Sequence, residues 1–270
     1  IAAPQGAAAA SETAQAIARS LLGGERKAVL LGNAAAHHAQ ASQLLALANW
    51  IGENTGASVG YLTEAANTVG AQFAGAHPVN GGLNAAQMLS GGLKAAVLLN
   101  TEPVHDSAAG AQAATALAGA EMVVTLSPFK ANMEFSDVLL PIAPFTETSG
   151  SFVNAEGRLQ SFHAVVRPLG DTRPAWKVLR VLANLLGVPG FDFETSQDVL
   201  ARATNAPAGT VTQLAAAQMS NAVKTVPVAA TAAAGEPVVA SIYQLDGLVR
   251  RSTSLQLTAD ARMAREGVAA

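Results

Sequence analysis

The chain has 270 residues, enough for one large domain or a medium domain with an appendage, and enough to bury a sizeable core. Half of it is apolar, much of that alanine; 13% is charged, the net charge is −3, and there is no cysteine. Disulfides, cysteine-ligated zinc and iron–sulfur clusters are therefore excluded from this chain, and without a basic cluster neither nucleic acid nor an anionic membrane surface is expected as a direct partner.

No apolar run reaches the roughly 18 residues that a membrane span requires, so no direct membrane insertion is expected. The sequence opens on Ile1 with no basic stretch ahead of an apolar one. No signal peptide is expected, and the alanine-rich residues 2–10 read as a linker or the edge of a larger protein.

The first helix is expected over Ser11–Leu22, with Ser11 as N-cap and Gly23-Gly24 ending it. Lys27–Leu31 reads as the first buried strand, closed by Gly32-Asn33. A long helix follows from about Ala35 to Asn54, then a short strand at Ser58–Leu62. Residues 63–83, rich in glycine, asparagine and threonine, read as irregular. Asn84 caps a short helix through Leu89, and Lys94–Leu99 is the third strand. A helix from Asp106 or Ser107 to Leu117 and strands at Met122–Leu126 and Val138–Leu140 complete the series. Strands alternating with helices imply βαβ crossovers, hence a mostly parallel sheet with helices on both faces: a three-layer, Rossmann-like α/β domain.

Residues 136–168 organise the rest. The run Val138-Leu139-Leu140 stops at Pro141, as a buried strand ending at a sheet edge should. Thr146-Glu147-Thr148-Ser149-Gly150-Ser151 follows on the carboxyl side of the sheet, where open α/β sheets bind ligands. Asn154-Ala155-Glu156-Gly157 reads as a turn, and Arg158–Val166 as the returning strand. Pro174 opens a helix whose Val178, Leu179, Leu182, Leu185 and Leu186 form a core-facing stripe, stopped by Gly187 and Pro189. The character then changes. Helices are expected at Asp198–Ala203 and Thr210–Met219, a strand at Val238–Tyr243, and after a short turn the stretch Asp246–Gln256. The division is thus 1–188 for the main domain and 189–270 for an extension packed on it or on a partner.

The stretch SDVLLPIAPFTETSGSFVNAEGRLQ (residues 136–160) resembles the signature of the molybdopterin oxidoreductase superfamily. That signature has an Asp-hydrophobic-Leu-Pro strand, a Glu-x-x-Gly loop and an Asn-x-Glu-x-Arg-x-Gln turn. Within the superfamily the chain is most similar to the large peripheral-arm subunits of bacterial NADH–quinone oxidoreductase, respiratory complex I. The segment IYQLDGLVRRSTSLQ (residues 242–256) is similar to the C-terminal end of those subunits. The resemblance implies a formate dehydrogenase/DMSO reductase-like fold and a C-terminal scaffold and docking part that is not itself catalytic. The partners it implies are other peripheral-arm subunits, at the cytoplasmic face of the inner membrane. No cofactor is implied for this part, the iron–sulfur clusters belonging to an N-terminal region of the full subunit.

Glu147, Thr148, Ser149, Gly150, Asn154, Glu156 and Arg158 are the candidate site residues. Their hydroxyls and amides could cradle a pterin or simply satisfy the loop's own backbone; the reading is a vestigial pterin-side loop kept for structure. Arg158, near Glu147 and Glu156, suits a structural clamp better than acid–base catalysis. Related molybdenum enzymes usually carry Asn-Pro after the third strand, where this chain has Glu102-Pro103, and a carboxylate there repels phosphates unless a cation intervenes. Gly32-Asn33 lacks the further glycines or lysine of a phosphate loop. His37, His38, His77, His105 and His163 show no ligand spacing, so no metal site is expected. The alternatives are a fragment of a formate dehydrogenase- or nitrate reductase-type enzyme that still binds a pterin, and a nucleotide-binding regulatory module using the Gly32 turn.

Overall fold

The computed structural model describes residues 9–222 and 241–266. They fall into two compact units, neither a continuous stretch: one holds residues 9–73, 153–158 and 214–222, the other 74–152, 159–213 and 241–266.

In the first unit α1 (Glu12–Gly23) starts where expected, the Ser11 hydroxyl accepting the Ala14 N–H at 3.2 Å. β1 (Ala28–Leu31) pairs in parallel with β2 (Ser58–Tyr61), from Ala28 opposite Ser58 to Leu31 opposite Tyr61. The helix between them is not one piece. α2 (Asn33–Ala36) ends at His37, and α3 (Ala41–Thr55) begins after a turn in which the His38 Nδ1 accepts the Gln40 N–H at 3.0 Å. A side-chain acceptor competing for the backbone is enough to interrupt helical bonding. α3 ends on Gly56 in the left-handed conformation.

Residues 63–83 are not wholly irregular, for α4 (Thr68–Phe73) lies among them. Asn67 explains it. Its carbonyl accepts the Ala71 N–H, and its side-chain Oδ1 accepts the Val153 N–H at 2.9 Å, tying the hairpin tip to this unit. A Cβ at Gly70 would lie 1.9 Å from that same Oδ1, so only glycine leaves the asparagine room to reach across. Asn221 makes a second tie: its Nδ2 donates to the Val59 carbonyl at 3.4 Å, and its carbonyl accepts from the Asn49 side chain at 3.2 Å.

In the second unit α5 (Ala85–Met88) opens with a reciprocal box between Asn84 and Gln87, both bonds 2.9 Å. β3 (Ala95–Leu99), α6 (Pro103–Asp106), α7 (Ala111–Ala118), β4 (Met122–Ser127) and β5 (Val138–Pro141) follow. The three strands form a parallel sheet in the order β3-β4-β5. The helix expected from residue 106 or 107 to 117 starts only at Ala111, where Gly110 with its positive φ turns the chain into α7; the separate turn α6 precedes it, its Pro103 carbonyl accepting the Ser107 hydroxyl at 2.6 Å. The core is built on Leu117, Val123 and Phe135, against which Leu89, Leu93, Leu98 and Val104 pack. The fold is mixed α/β with mostly parallel strands, as expected, but among the described residues the parallel strands belong to two sheets rather than one, and β6 (Gly150–Val153) and β7 (Leu159–Phe162) form a third.

β6 (Gly150–Val153) and β7 (Leu159–Phe162) make the hairpin, with Phe152 edge-on to Phe162 at 5.3 Å. The returning strand is shorter than the expected 158–166. After Phe162 the chain leaves its partner, and the Val165 and Val166 amides turn to the Thr146 carbonyl. α8 (Ala175–Leu185) and α9 (Ser196–Thr204) stand where expected, but the α8 stripe is only half core-facing. Val178, Leu179 and Leu182 are half-buried, whereas Leu185 and Leu186 reach past the core into solvent.

Two expectations for the C-terminal part fail. Thr210–Met219 is not a helix beyond a 3₁₀ turn at Ala216–Met219, because the hairpin takes up its backbone. The Thr212 carbonyl accepts the Leu159 N–H at 2.9 Å, and the Leu214 N–H donates to the Gly157 carbonyl at 2.8 Å. Of the expected strand Val238–Tyr243, residues 238–240 lie outside the described residues, and the rest opens a helix. Ser241 and then Asp246 act as N-caps for α10 (Ile242–Leu245) and α11 (Gly247–Arg251), with α12 (Thr253–Gln256) and α13 (Ala259–Glu266) after them. No helix among the described residues is long and apolar enough to cross a membrane.

Gly52 on α3 gives a test of the first unit. A Cβ there would meet the Val59 side chain at 2.7 Å and the Ala57 carbonyl at 2.9 Å. Helix propensity favours Gly52→Ala by about 1 kcal/mol, but overpacking against backbone costs about 1–3 kcal/mol. Chemical denaturation should therefore show a lower midpoint for the variant; an equal or higher one would mean β2 yields.

Candidate functional site

The carboxyl edge of the three-stranded sheet carries the most constrained polar cluster of the second unit. β3 runs into Asn100, whose φ of +48° turns the chain while its N–H bonds the Leu126 carbonyl at 2.8 Å. Below the turn, Asn132 Nδ2 donates to the Thr101 carbonyl at 3.0 Å and to Thr125 Oγ1 at 3.3 Å. Thr125 Oγ1 is in turn hydrogen-bonded to Ser136 Oγ at 2.7 Å. Thr125 and Asn132 are buried, so these bonds satisfy groups that water does not reach. Above it, the Asp106 carboxylate accepts the Glu102 N–H at 2.7 Å.

Two arginines of α11 complete the cluster. Arg250 Nη2 meets Glu102 Oε1 at 2.9 Å, and its Nη1 meets Asp106 Oδ1 at 3.2 Å. Arg251 Nη1 reaches the same Glu102 oxygen at 2.8 Å, and its guanidinium stands 4.1 Å from the centre of the Phe129 ring. The Glu102 and Arg250 side chains are only 16% and 13% exposed. Burial pushes the Glu102 carboxyl up, but the Arg251 and Arg250 guanidinium groups outweigh it and hold the group below its ordinary 4.5. The cation that a carboxylate at this position needs is thus supplied by the chain itself. Sequence reasoning missed the pairing; its one signal is two adjacent arginines in a charge-poor chain.

The loop after β5 is self-contained. The Glu147 carboxylate accepts the Leu169 N–H at 3.0 Å, and the Thr148 hydroxyl donates to the Ser149 carbonyl at 3.2 Å. The side of Gly150 that would admit a Cβ, or a ligand, faces Phe162, 2.5 Å from that position. Asn154 governs the hairpin turn: its Oδ1 accepts the Glu156 N–H at 3.0 Å and the Arg158 N–H at 2.9 Å, with Gly157 in the left-handed region. Arg158 and Glu156 are exposed. Glu147, Thr148 and Ser149 also form one wall of an open groove of about 450 Å³, lined further by Arg167, Arg173, Trp176 and Lys177. Gly32 does no more than precede the four-residue α2, with no side-chain cap. No group of three potential metal-ligating side chains occurs among the described residues.

The family's molybdopterin, a phosphate-bearing pterin, does not fit the β3 turn or the β5 loop as they stand. At the turn its phosphates would displace two arginines and meet two carboxylates. At the loop the Glu147 carboxylate and the Thr148 hydroxyl are bonded to the protein's own backbone, and a phenyl ring stands beside Gly150.

The Glu102 cluster contributes stability that is fully present above pH 4.5 and is lost as pH falls through the lowered folded-state value. Glu102→Gln should remove that acid dependence and raise hydrogen exchange in residues 242–256 at neutral pH. A double-mutant cycle with Arg250→Ala should give a coupling of about 1 kcal/mol or more. Unchanged exchange together with zero coupling would mean that α11 is held by something else.

A comparison with protein families matches residues 2–185 to the molybdopterin oxidoreductase family. Among curated proteins, one from Bacillus subtilis carrying an oxidoreductase name, YjgC, is 40% identical over 70 residues, which is 26% of this chain and 7% of that protein. Staphylococcus aureus proteins carrying a formate dehydrogenase name are 43% identical over 53 residues, 20% of this chain and 5% of theirs. The match thus spans less than a tenth of either relative's length. A family match over more than half of the sequence, on an α/β fold with parallel strands, identifies the chain as a member of the molybdopterin oxidoreductase family.

Proposed function

We propose that this chain is the scaffold and docking part of the large peripheral-arm subunit of a NADH–quinone oxidoreductase. In that role it supports electron transfer from NADH to quinone without carrying a redox centre itself. The observation that carries the reading is the Glu102–Arg250–Arg251 cluster. It fills with internal charge pairs the sheet edge where a family member with a cofactor would place a nucleotide. The two sequence stretches that carry the resemblance to such subunits, residues 136–160 and 242–256, supply the β5 loop and the arginines of that cluster. On this reading the partners are other peripheral-arm subunits at the cytoplasmic face of the inner membrane. The iron–sulfur clusters lie on other parts of the assembly.

A second reading, an oxidoreductase of formate dehydrogenase type that holds a pterin, is favoured by the name of the Staphylococcus aureus relatives. One purification separates the two. The full-length subunit, isolated from its native membranes, should co-purify with NADH–quinone reductase activity. Its released, oxidised pterin fluorescence and its molybdenum and tungsten content should each be far below one per chain. Near-stoichiometric pterin with formate-dependent dye reduction would replace the first reading by the second.

A further inference from the structure

The groove beside the β5 loop lies outside the internally paired cluster, and its chemistry is different. Arg167, Arg173 and Lys177 line it against a single lining carboxylate, Glu147, already engaged by the Leu169 amide. Three cations gathered in one groove stand out in a chain whose net charge is −3. Two of the cations are held in place. Arg173 Nη1 donates to the Thr172 carbonyl at 2.8 Å, and the Lys177 ammonium sits 5.3 Å from the centre of the Trp176 ring.

The strands of chain that form the groove also expose large apolar side chains. Val165 and Leu169, between and beside lining residues, are 83% and 78% exposed. Phe145, two residues before Glu147, is exposed too, as is Val181, one helical turn beyond Lys177 on α8. Exposed apolar side chains on the segments that form a basic groove suit a partner that offers apolar contact together with charges that fix register.

We infer that this groove receives an acidic, apolar-sided segment of a partner subunit, whose carboxylates face Arg167, Arg173 and Lys177 while its apolar residues cover Val165 and Leu169. The inference rests on the docking role proposed above and names the surface and the chemistry of the partner. A free phosphate would satisfy the cations and leave the exposed apolar side chains beside them wet. A membrane surface calls for a larger basic cluster, of about four to eight Lys and Arg.

The test uses the full subunit in its native assembly, with a photo-crosslinking amino acid in place of Leu169 or Val165. The expected adducts are with one partner subunit, at a stretch rich in Asp and Glu. The triple charge reversal Arg167→Glu, Arg173→Glu and Lys177→Glu should cut their yield about tenfold or more, while Arg167→Lys with Arg173→Lys largely retains it. Unchanged thermal melting of the reversed variant would show that the fold survives.

Adducts with lipid, no adducts at all, or adducts indifferent to charge reversal would overturn the inference. The two proposals fail separately. A subunit that assembles with NADH–quinone reductase activity but whose groove crosslinks to nothing sinks the groove alone. One that crosslinks to an acidic stretch in a different oxidoreductase sinks the choice of enzyme and keeps the groove.

Discussion

Two guanidinium groups held between two carboxylates fix the carboxyl edge of the three-stranded sheet. A parallel sheet directs its strand ends, and the turns that follow them, to this edge, which is why α/β proteins so often place ligands there. Here Glu102 and Asp106 would leave an uncompensated negative charge at a partly desolvated place. Arg250 and Arg251, brought back from more than 140 residues along the chain, provide the compensation. Such a pair adds little net stability compared with a well-packed apolar contact, yet removing one member leaves the other stranded. Its main effect is therefore on which arrangement forms: it specifies where the C-terminal helices lie against β3 and α6.

The layer beneath is what makes that specification firm. Asn132, Thr125 and Ser136 form a chain of hydrogen bonds that holds the Thr101 carbonyl, and so positions the residue before Glu102. A fully satisfied buried network of this kind is rigid, because every alternative leaves a polar group unpaired. The β5 loop follows the same logic with different parts. Glu147 bonds Leu169, Thr148 bonds its neighbour, and Phe162 takes the space beside Gly150. At the β3 turn and in the β5 loop alike, these polar side chains are taken up by internal bonds. Open polar surface lies in the adjacent groove.

Much of the fold was legible in the sequence, because strands such as Ala95–Leu99 and Met122–Ser127 are short apolar runs with sharp ends. The caps at Ser11 and Asn84 were legible for the same reason, being local. What could not be read were interactions between distant residues. Nothing around Thr210 says that its backbone will bond a hairpin fifty residues earlier, and helix-friendly alanines at 215–217 point the wrong way. Ile242 and Tyr243 favour strands by propensity, but Ser241 and Asp246 cap helices, and the caps prevail. The bonds that Glu147 and Thr148 make reach only nearby backbone, whereas the arginines that close the neighbouring turn come from more than 140 residues away and were invisible without the fold.

The tie that Asn221 makes to β2 and α3 has a consequence for synthesis. β1, α3 and β2 leave the ribosome well before the asparagine that bonds the Val59 carbonyl, which is 162 residues further on. At translation rates of about 5–20 residues per second, that is a wait of roughly 10–30 s. Through that interval the nascent chain holds a two-stranded sheet without its closing stretch, a state that a chaperone bound near the exit tunnel is suited to shield. Completion of this unit is thus timed by the synthesis of a segment more than 150 residues downstream.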